Sequence, residues 1–452
     1  MSPAAYLLER AWVGGRVRDD VLVEIDGTRF TSVTPDADSL VLSGVATRAN
    51  TRDTRSAGYP NRVPGLSIPG LANCHSHAFH RALRGRTQRG RGTFWTWREQ
   101  MYAVAARLDP DSYLQLASAT YAEMVASGIT TVGEFHYLHH QRDGTAYADP
   151  NEMGHALVEA ARQAGLRLTL LDTCYLSSGF GRPVEGAQLR YTDGDAVGWS
   201  ARRGRLGDDD GVRHAAAIHS VRAVPRDQLA DVVAAASGLP VHVHLSEQRR
   251  ENDDCRAAYG LSPTQLLAEA GALGPLTSAV HATHLGDDDV ALLGGSATYA
   301  CFCPTTERDL GDGIGPSRRL HEAGSPLTLG SDSHAVVDLF EEMRAVELDE
   351  RLATEQRGHW TAAQLLGAAT AQGHTSLGWP DVGEIAVGQR ADLVVLDPAS
   401  PRTAGTGSDE HTAVFTATAA DVARVMVDGS WRDLDRERVG RDLAVAIERI
   451  HA

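Results

Sequence analysis

The chain has 452 residues, of which 42% are hydrophobic and 23% charged, an ordinary composition for a globular protein with a large core. Its formal net charge of −16 argues against nucleic acid or an anionic membrane as a partner, because such partners need a basic surface. All 43 basic residues are arginine, which excludes any mechanism that needs a catalytic or carboxylated lysine.

The first 65 residues contain short alternating apolar runs, VLVEIDG from Val21 and FTSVTPD from Phe30, each broken by Gly, Asp or Pro. Such runs predict short strands joined by turns. From Ser43 to Pro64 the chain is polar and rich in turn-forming residues, which predicts a surface excursion.

Between residues 66 and 379, short apolar runs alternate with helix-length stretches. Eight runs are predicted as strands, one near Ile68 and the others beginning at Ile129, Leu166, Val212, Leu239, Thr277, Ala297 and Pro326. The connecting segment SYLQLASATYAEMVASG is amphipathic, which predicts a helix that stops at Gly128. Eight strands with helical connections predict an α/β fold, a (β/α)8 TIM-type barrel. The charged, glycine-rich stretch 181–211 predicts an insertion loop.

Residues 380–452 return to short strands, in GEIAVGQRADLVVLD from Gly383 and VARVMVDGSWRDL from Val422. The termini of a barrel usually lie close together. We therefore expect residues 1–65 and 380–452 to form one composite small β domain, a β-sandwich, beside a barrel of residues 66–379.

The five cysteines form no CxxC pair, so neither a disulfide framework nor a zinc knuckle is expected. The N-terminal segment lacks the basic and apolar regions of a signal peptide, and no apolar run reaches membrane-spanning length. These features predict reduced thiols and a cytoplasmic protein.

Four groups of metal-ligand-type residues fall at the carboxyl ends of predicted barrel strands, where the active sites of such barrels form. They are His75 with His77, His242 and His244 followed by Glu247, His281 with His284, and Asp332 with His334. Two histidines at positions i and i+2 of a strand point to the same face and can hold one metal ion. Three neutral imidazoles and one carboxylate leave zinc an open position for water, whose pKa the ion can lower to about 7.

Hydrolysis of a C–N bond at such a centre needs a proton carrier, because the departing nitrogen must be protonated. Glu247, three residues beyond His244, is suited to this role, and His281 can polarise the electrophile or assist the water. Two-metal barrels of this kind usually need a bridging carboxylated lysine, so the lack of lysine favours one metal ion per chain. The donor set predicts Zn²⁺ and leaves Fe²⁺ and Mn²⁺ open.

Together these motifs resemble the amidohydrolase superfamily over nearly the whole chain. Within it, seven segments are most similar to the formimidoylglutamate deiminases: HSHAFHRALRGR from His75, FWTWREQMY from Phe94, GEFHYLHH from Gly133, IHSVRAV from Ile218, HVHLSEQ from His242, CPTTERDLGDG from Cys303 and GSDSH from Gly330. The resemblance implies zinc-dependent hydrolysis of N-formimidoyl-L-glutamate, a linear amidine with two carboxylates. The products are N-formyl-L-glutamate and ammonia, formed in histidine degradation by attack of zinc-bound hydroxide on the formimidoyl carbon.

The same resemblance implies a role for individual residues. The zinc ligands would be His75, His77, His244 and Asp332, with His242 a neighbour. The catalytic residues would be Glu247, His281 and Asp332, and the substrate contacts would be His80, Arg98, Tyr137, His219 and Arg222. Arginine suits such a substrate because its planar guanidinium binds carboxylates through two hydrogen bonds. The family pattern has glutamine where this chain has His80, which leaves that contact and the exact substrate open.

Two other functions remain open on the sequence. A related amidohydrolase deaminase acting on a ring amidine of the guanine or adenosine type would use the same metal and Glu247, with aromatic stacking in place of two arginines. A non-catalytic barrel scaffold would have lost metal ligands, whereas every expected ligand is present. A homodimer is expected because it is common among such barrels.

Overall fold

The structure is a computed structural model that describes residues 4–37 and 60–452. The strands within these residues are β1 (Ala4–Val13), β2 (Arg16–Asp26), β3 (Arg29–Thr34), β4 (Asn61–Pro69), β5 (Leu71–Ser76), β6 (Ile129–His136), β7 (Arg167–Cys174), β8 (Val212–Ile218), β9 (Val241–Leu245), β10 (Thr277–His281), β11 (Tyr299–Phe302), β12 (Leu327–Leu329), β13 (Leu393–Leu396), β14 (Val422–Val427) and β15 (Ser430–Trp431).

The α-helices of the same residues are α1 (Phe94–Ala105), α2 (Pro110–Ala126), α3 (Glu152–Ala164), α4 (Ala196–Arg203), α5 (Arg226–Ala235), α6 (Arg249–Tyr259), α7 (Pro263–Glu269), α8 (Asp287–Gly295), α9 (Pro304–Leu310), α10 (Ser317–Ala323), α11 (Leu339–Thr354), α12 (Ala362–Ala369), α13 (Ala371–Ser376) and α14 (Arg436–His451). Short 3₁₀ or π turns lie at Ala78–Leu83, Gly186–Tyr191, Thr412–Thr416 and Ala419–Asp421. Over the described ranges, no helix combines the length and the apolar character that crossing a membrane requires.

The barrel consists of β5 to β12 in chain order, and every neighbouring pair is parallel. A parallel bridge between Ser76 and Asp332 joins the end of β5 to the residues after β12 and closes the ring. The predicted (β/α)8 barrel is confirmed, and each of the eight predicted strands contributes to it. Because all eight strands run in the same direction, their carboxyl ends meet at one mouth.

The first predicted strand, near Ile68, is in fact two strands in different sheets. Its first half is β4, and its second half is β5, the first barrel strand. Gly70 lies between them, where a Cβ atom would overlap the side chain of Thr130. The apolar run LSIPGLAN is continuous in sequence because both of its halves are buried.

Both ends of the chain contribute to a second, seven-stranded sheet, as predicted. Its order is β15-β14-β13-β4-β1-β2-β3, so strands from residues 4–69 pair with strands from residues 393–431. Alternate residues of these strands pack into a core of their own around Leu8, Val23 and Leu393. Of the predicted surface excursion, residues 43–59 lie outside the described residues, whereas Asn61–Pro64 begin β4.

Arg167 connects the two sheets. It begins β7 in the barrel and is buried, and its guanidinium donates hydrogen bonds to Asp392 beside β13 and to Asp428 after β14, the latter at 2.8 Å. The backbone N–H of Asp428 in turn donates to Asp392 Oδ1 at 3.0 Å. A buried cation therefore fixes the barrel against the terminal sheet, paired with two carboxylates.

Two features of the chain were not predicted from periodicity. The stretch 181–211, predicted as an insertion loop, contains the turn Gly186–Tyr191 and helix α4, so that prediction was wrong in part. Asp195 caps α4 by accepting a hydrogen bond from the Gly198 N–H at 2.7 Å, and the buried Trp199 fixes the helix to the barrel. The C-terminal helix α14 packs on barrel helix α2, with Arg436 donating to the Ala126 carbonyl at 3.1 Å.

Candidate active site

The four residues predicted as metal ligands lie together at the carboxyl ends of the barrel strands. His75 and His77 come from the end of β5, His244 from β9, and Asp332 follows β12. One donor atom from each lies within 4.8 Å of all the others, and all four residues are buried. The Nε2 atoms of His75 and His244 are 3.0 Å apart, and His77 Nε2 is 3.2 Å from Asp332 Oδ1.

Backbone carbonyls orient two of these imidazoles. The Nδ1 of His77 lies 3.1 Å from the Phe135 carbonyl oxygen, and the Nδ1 of His244 lies 2.9 Å from the His219 carbonyl oxygen. A carbonyl only accepts, so each Nδ1 carries the proton and each Nε2 turns a lone pair toward the cluster. Burial lowers the pKa of His75 to about 4, which favours the neutral ring that binds a metal.

This donor set fits a divalent cation. Lone pairs of neutral imidazoles and a carboxylate oxygen converge at 3.0 to 3.4 Å, a contact that repels unless a positive charge lies among them. Three nitrogens and one oxygen are the usual ligands of zinc, and related divalent ions accept them as well. His242 lies outside the group. Its ring stacks at 6.5 Å from that of His75, and neither of its nitrogens has a hydrogen-bond partner among the described residues.

Glu247 and His281 lie beside the cluster and face each other. His281 Nε2 is 3.8 Å from Glu247 Oε1 and 3.7 Å from Asp332 Oδ2. Burial raises the pKa of Glu247, which favours the protonated form of this carboxyl. The predicted proton carrier and the predicted histidine are therefore adjacent to the cluster.

Glu307 holds the other side of the His281 ring. Its Oε1 lies 3.3 Å from His281 Nδ1 and accepts a hydrogen bond from the Cys303 N–H at 2.9 Å. Although burial alone would lower it, the pKa of His281 is raised well above its usual value by Glu247, Glu307 and Asp332. Three carboxylates thus surround one imidazole and favour its protonated form.

A cavity of about 50 Å³ opens above the cluster. Its lining includes His77, His244, Glu247, His281 and Asp332, and all five residues predicted to contact substrate: His80, Arg98, Tyr137, His219 and Arg222. The aromatic side chains on its walls are Phe94, Trp97, Tyr102, Tyr175 and Tyr191. The pocket therefore brings together the predicted catalytic residues, substrate contacts and metal ligands except His75, which belongs to the cluster but does not line the cavity.

His80, the departure from the family pattern, is buried in the wall of this pocket. Its Nε2 lies 3.1 Å from the Tyr137 hydroxyl, and its ring is 4.5 Å from that of His77. Burial lowers its pKa well below the usual value, so the ring is neutral. Arg222 lies in the same pocket, and its Nε is 3.7 Å from the buried carboxylate of Glu251.

The backbone between His75 and His77 is held from behind. Ser76 Oγ donates to Glu134 Oε2 at 2.7 Å, and the Ala78 N–H donates to Glu134 Oε1 at 2.7 Å. His334 Nε2 lies 2.9 Å from the same Ser76 hydroxyl. Glu134 and His334 therefore both contact the segment that carries two of the metal-type donors.

A second group of potential ligands, His136, His139 and Asp172, lies elsewhere and is structural. Both oxygens of Asp172 accept hydrogen bonds from Arg202, at 2.7 and 2.8 Å, and one also accepts from Trp199 at 2.9 Å. The guanidinium of Arg202 therefore already occupies both oxygens of that carboxylate. The five cysteines are buried and free, as expected.

Sequence reasoning missed several residues of the site. Glu307 and Asp312 belong to the segment CPTTERDLGDG, which was used as a family signature without a role for its acidic residues. Glu251 is one turn into helix α6, whose sequence RRENDDCRAAY is otherwise that of an exposed helix. The signal available for Glu251 was its spacing of four residues from Glu247, which alone does not distinguish a buried carboxylate from a solvated one.

Known proteins with similar sequences and structures were compared with the chain. The pattern of the amidohydrolase family matches residues 66–432. The formimidoylglutamate deiminase of Pseudomonas aeruginosa is 38% identical over 410 residues, which cover 87% of this chain and 90% of that protein. The 8-oxoguanine deaminase of the same species is 31% identical over 398 residues, or 85% and 86% of the two chains. A crystal structure of an amidohydrolase from Brucella melitensis is similar with a TM-score of 0.87 at 29% identity, covering 99% of this chain and 100% of that one.

Proposed function

Because the chain belongs to the amidohydrolase family, we propose that it hydrolyses N-formimidoyl-L-glutamate to N-formyl-L-glutamate and ammonia. The observation that carries this proposal is the pocket itself. Two arginines, Arg98 and Arg222, line the same cavity as Glu247 and three of the four converging metal-type donors. A small substrate with a carboxylate at each end and a polar carbon to attack matches that arrangement. We expect the reaction to belong to histidine degradation.

His75, His77, His244 and Asp332 would hold one Zn²⁺ per chain, with Fe²⁺ or Mn²⁺ as substitutes that the donor set tolerates. A divalent ion bound there supplies Lewis acidity and lowers the pKa of a coordinated water. The carbonyls of Phe135 and His219 contribute by fixing the imidazole tautomers that such an ion needs.

The carboxylates of the substrate would be bound by the arginines and the polar groups near them. The guanidinium groups of Arg98 and Arg222 each suit one carboxylate, and Tyr137 and His219 lie in the same wall and can add hydrogen bonds. His80 would contact the substrate or hold the Tyr137 hydroxyl in position, 3.1 Å from its Nε2. Fixing both ends of the molecule would orient the formimidoyl carbon toward the cluster.

Glu247 would transfer the proton. Water adds to the formimidoyl carbon, and Glu247 takes one proton from that water and delivers it to the terminal nitrogen. The second proton of the water, now on the hydroxyl of the tetrahedral carbon, would pass through Glu247 to the same nitrogen as the C–N bond breaks, so that ammonia leaves and the carbon keeps the oxygen as a formyl group. His281, held 3.8 Å from Glu247 Oε1, would stabilise the developing negative charge through its Nε2–H.

A ring-amidine deaminase is the second candidate, and the aromatic walls of the pocket favour it. Phe94, Trp97, Tyr102, Tyr175 and Tyr191 offer faces on which a purine could stack. The two arginines argue against this candidate, because a neutral purine offers neither guanidinium a carboxylate to bind. The 31% identity to an 8-oxoguanine deaminase makes that purine the appropriate competitor in a test.

The test is a comparison of kcat/KM for N-formimidoyl-L-glutamate, 8-oxoguanine and adenosine on the zinc-loaded protein. We expect the linear dicarboxylate to exceed both purines by at least about 10³-fold, since only a dicarboxylate forms charge-assisted hydrogen bonds with both arginines. The variant Arg222→Met should lower kcat/KM for the linear substrate and leave the purine rates unchanged or higher. Faster turnover of either purine by the native protein would reject the proposed substrate. The expected homodimer is a separate prediction, checked by light scattering.

A further inference from the structure

A second cavity lies directly outside the catalytic pocket. It is larger, about 560 Å³, and shares Arg98 and Arg222 with the pocket, so the two spaces adjoin. The residues that line it without reaching the pocket come from the segment 178–182, from helix α6 and from Trp95 at the start of α1. A molecule that approaches from this side meets the second cavity before it meets the metal-type cluster.

The charge of this cavity is opposite to that of the protein. Four arginines line it, Arg98, Arg182, Arg222 and Arg250, against a single carboxylate, Asp254. Asp254 lies 3.4 Å from Arg250 Nε, and Glu251, behind the cavity wall, lies 3.7 Å from Arg222 Nε, so two carboxylates offset part of this positive charge. Among the residues described by the structure, Arg98 and Arg182 form no ion pair. A chain with a net charge of −16 therefore keeps a concentrated positive region at this entrance.

The arginines are held in position by the residues around them. The guanidinium groups of Arg98 and Arg250 lie over the Trp95 ring, 5.2 and 4.9 Å from its centroid. The backbone of Arg182 is fixed by hydrogen bonds. Its N–H donates to the Gly179 carbonyl at 3.0 Å, and its carbonyl accepts from Ser177 Oγ at 2.8 Å. An anion would therefore meet two guanidinium groups held against Trp95 and a third, that of Arg182, carried on a fixed backbone.

We propose that this outer cavity is an anion-capture site, in which Arg182 and Arg250 attract a carboxylate substrate before Arg98 and Arg222 bind it in the pocket. This inference rests on the proposed function, because it takes the substrate to carry two carboxylates. Clefts lined by one sign of charge can raise association rates about 10- to 10³-fold, an effect that salt screens over about 10 Å. A substrate that presents carboxylates gains from such a site, and a neutral purine gains nothing.

The kinetic test neutralises the two outer arginines together, as Arg182→Gln/Arg250→Gln. The control is Arg357→Gln/Arg441→Gln, which removes the same charge from exposed arginines that line neither cavity. At about 0.02 M NaCl we expect KM for N-formimidoyl-L-glutamate to rise about fivefold or more in the first variant, with kcat within about twofold of native. The difference should shrink at about 0.5 M NaCl. A KM equal to that of the control variant at low salt would overturn the proposal.

A second measurement needs no turnover. Trp95 lies in the cavity, so its fluorescence, obtained as the difference between the native protein and Trp95→Phe, reports on local ions. We expect iodide to quench this signal more strongly than caesium, and the outer-arginine variant to lose that preference while the control keeps it. Equal quenching by both ions in the native protein would contradict the capture site. A clear iodide preference without turnover of N-formimidoyl-L-glutamate would support the site and reject the substrate instead.

Discussion

At the scale of single side chains, the contacts of Glu307 explain how the His281 ring is held. Glu307 does not line the pocket, but it contacts the imidazole of His281, which does. A histidine that acts at an electrophile needs a fixed ring orientation, and the partner of its other nitrogen supplies it. Glu307 is therefore a positioning residue for His281.

Replacing Glu307 by alanine should lower kcat about 10- to 100-fold with little change in KM, because His281 loses the acceptor of its Nδ1–H. Glu307→Gln keeps an acceptor oxygen and should recover much of that loss. The matched control is Glu342→Ala, which removes a buried carboxylate bonded to Thr305, in the same segment, without touching His281. Steady-state kinetics of the three variants decide the matter, and equal kcat losses in Glu307→Ala and Glu342→Ala would indicate a purely structural role.

His242 and His244 offer a matched pair for the metal ligands. They are two residues apart on β9 and both are buried, but only His244 belongs to the converging group. We expect His244→Asn to lose stoichiometric zinc and His242→Asn to retain about one zinc per chain, measured by elemental analysis after gel filtration. Loss of zinc from both variants, or from His242→Asn alone, would contradict the proposed ligand set.

At the scale of strands and helices, the barrel could be predicted because each strand is a short apolar run with a helix-length connection after it. The metal-type cluster followed from the same pattern, since histidines spaced by two residues at strand ends share a face. Glu251 and Glu307 could not be found this way. Both residues lie in helices. Whether a carboxylate on a helix is buried depends on the segments that pack against it, and the sequence carries no signal for that packing.

The strand boundary at Gly70 also could not be predicted from the sequence pattern. A run of apolar residues reports burial, not the sheet to which a strand belongs, and here one run serves two sheets. The two short helical segments in residues 181–211 were missed for a related reason. Trp199 and Arg202 anchor that region through Asp172, a tertiary contact across 30 residues that helical periodicity does not report.

A substitution of Arg167 tests whether its buried ion pairs stabilise the junction between the two sheets. Arg167→Met removes a buried cation and leaves Asp392 buried without it, so we expect a loss of about 3–5 kcal/mol in the free energy of unfolding. The control is Arg10→Met, whose pair with Asp19 is exposed, at 39% and 72% of the side-chain surfaces, and should cost under about 1 kcal/mol. Urea unfolding followed by fluorescence gives both values. Equal losses for the two variants would show that the buried pair does not stabilise the junction.

At the scale of the whole molecule, an acidic chain surrounds a pocket and an outer cavity lined by arginines. The net charge is −16, whereas the arginines of the pocket and the outer cavity give this region the opposite charge. The cluster of buried donors also depends on the whole barrel, because its members come from residues 75 to 332 and meet only when the ring closes.

Removing the metal should therefore affect stability as well as activity. An ion that binds only the folded chain stabilises it by about 4 kcal/mol at a thousandfold excess over its Kd. We expect chelator treatment to abolish activity and lower Tm by several degrees, and added Zn²⁺ to restore both. Differential scanning calorimetry of chelated and reconstituted samples measures the shift. An unchanged Tm with full activity after verified metal removal would contradict a metal-dependent site.

The most direct test of the proposed reaction is product analysis after incubation with N-formimidoyl-L-glutamate. Attack at the formimidoyl carbon can break either of its two C–N bonds, and the products reveal which nitrogen receives the proton. We predict equimolar ammonia and N-formyl-L-glutamate from the zinc-loaded protein, and a rate at least about 10²-fold lower from Glu247→Gln with its zinc retained. Formamide and L-glutamate as products, or no product from a protein that holds zinc, would contradict the proposed function.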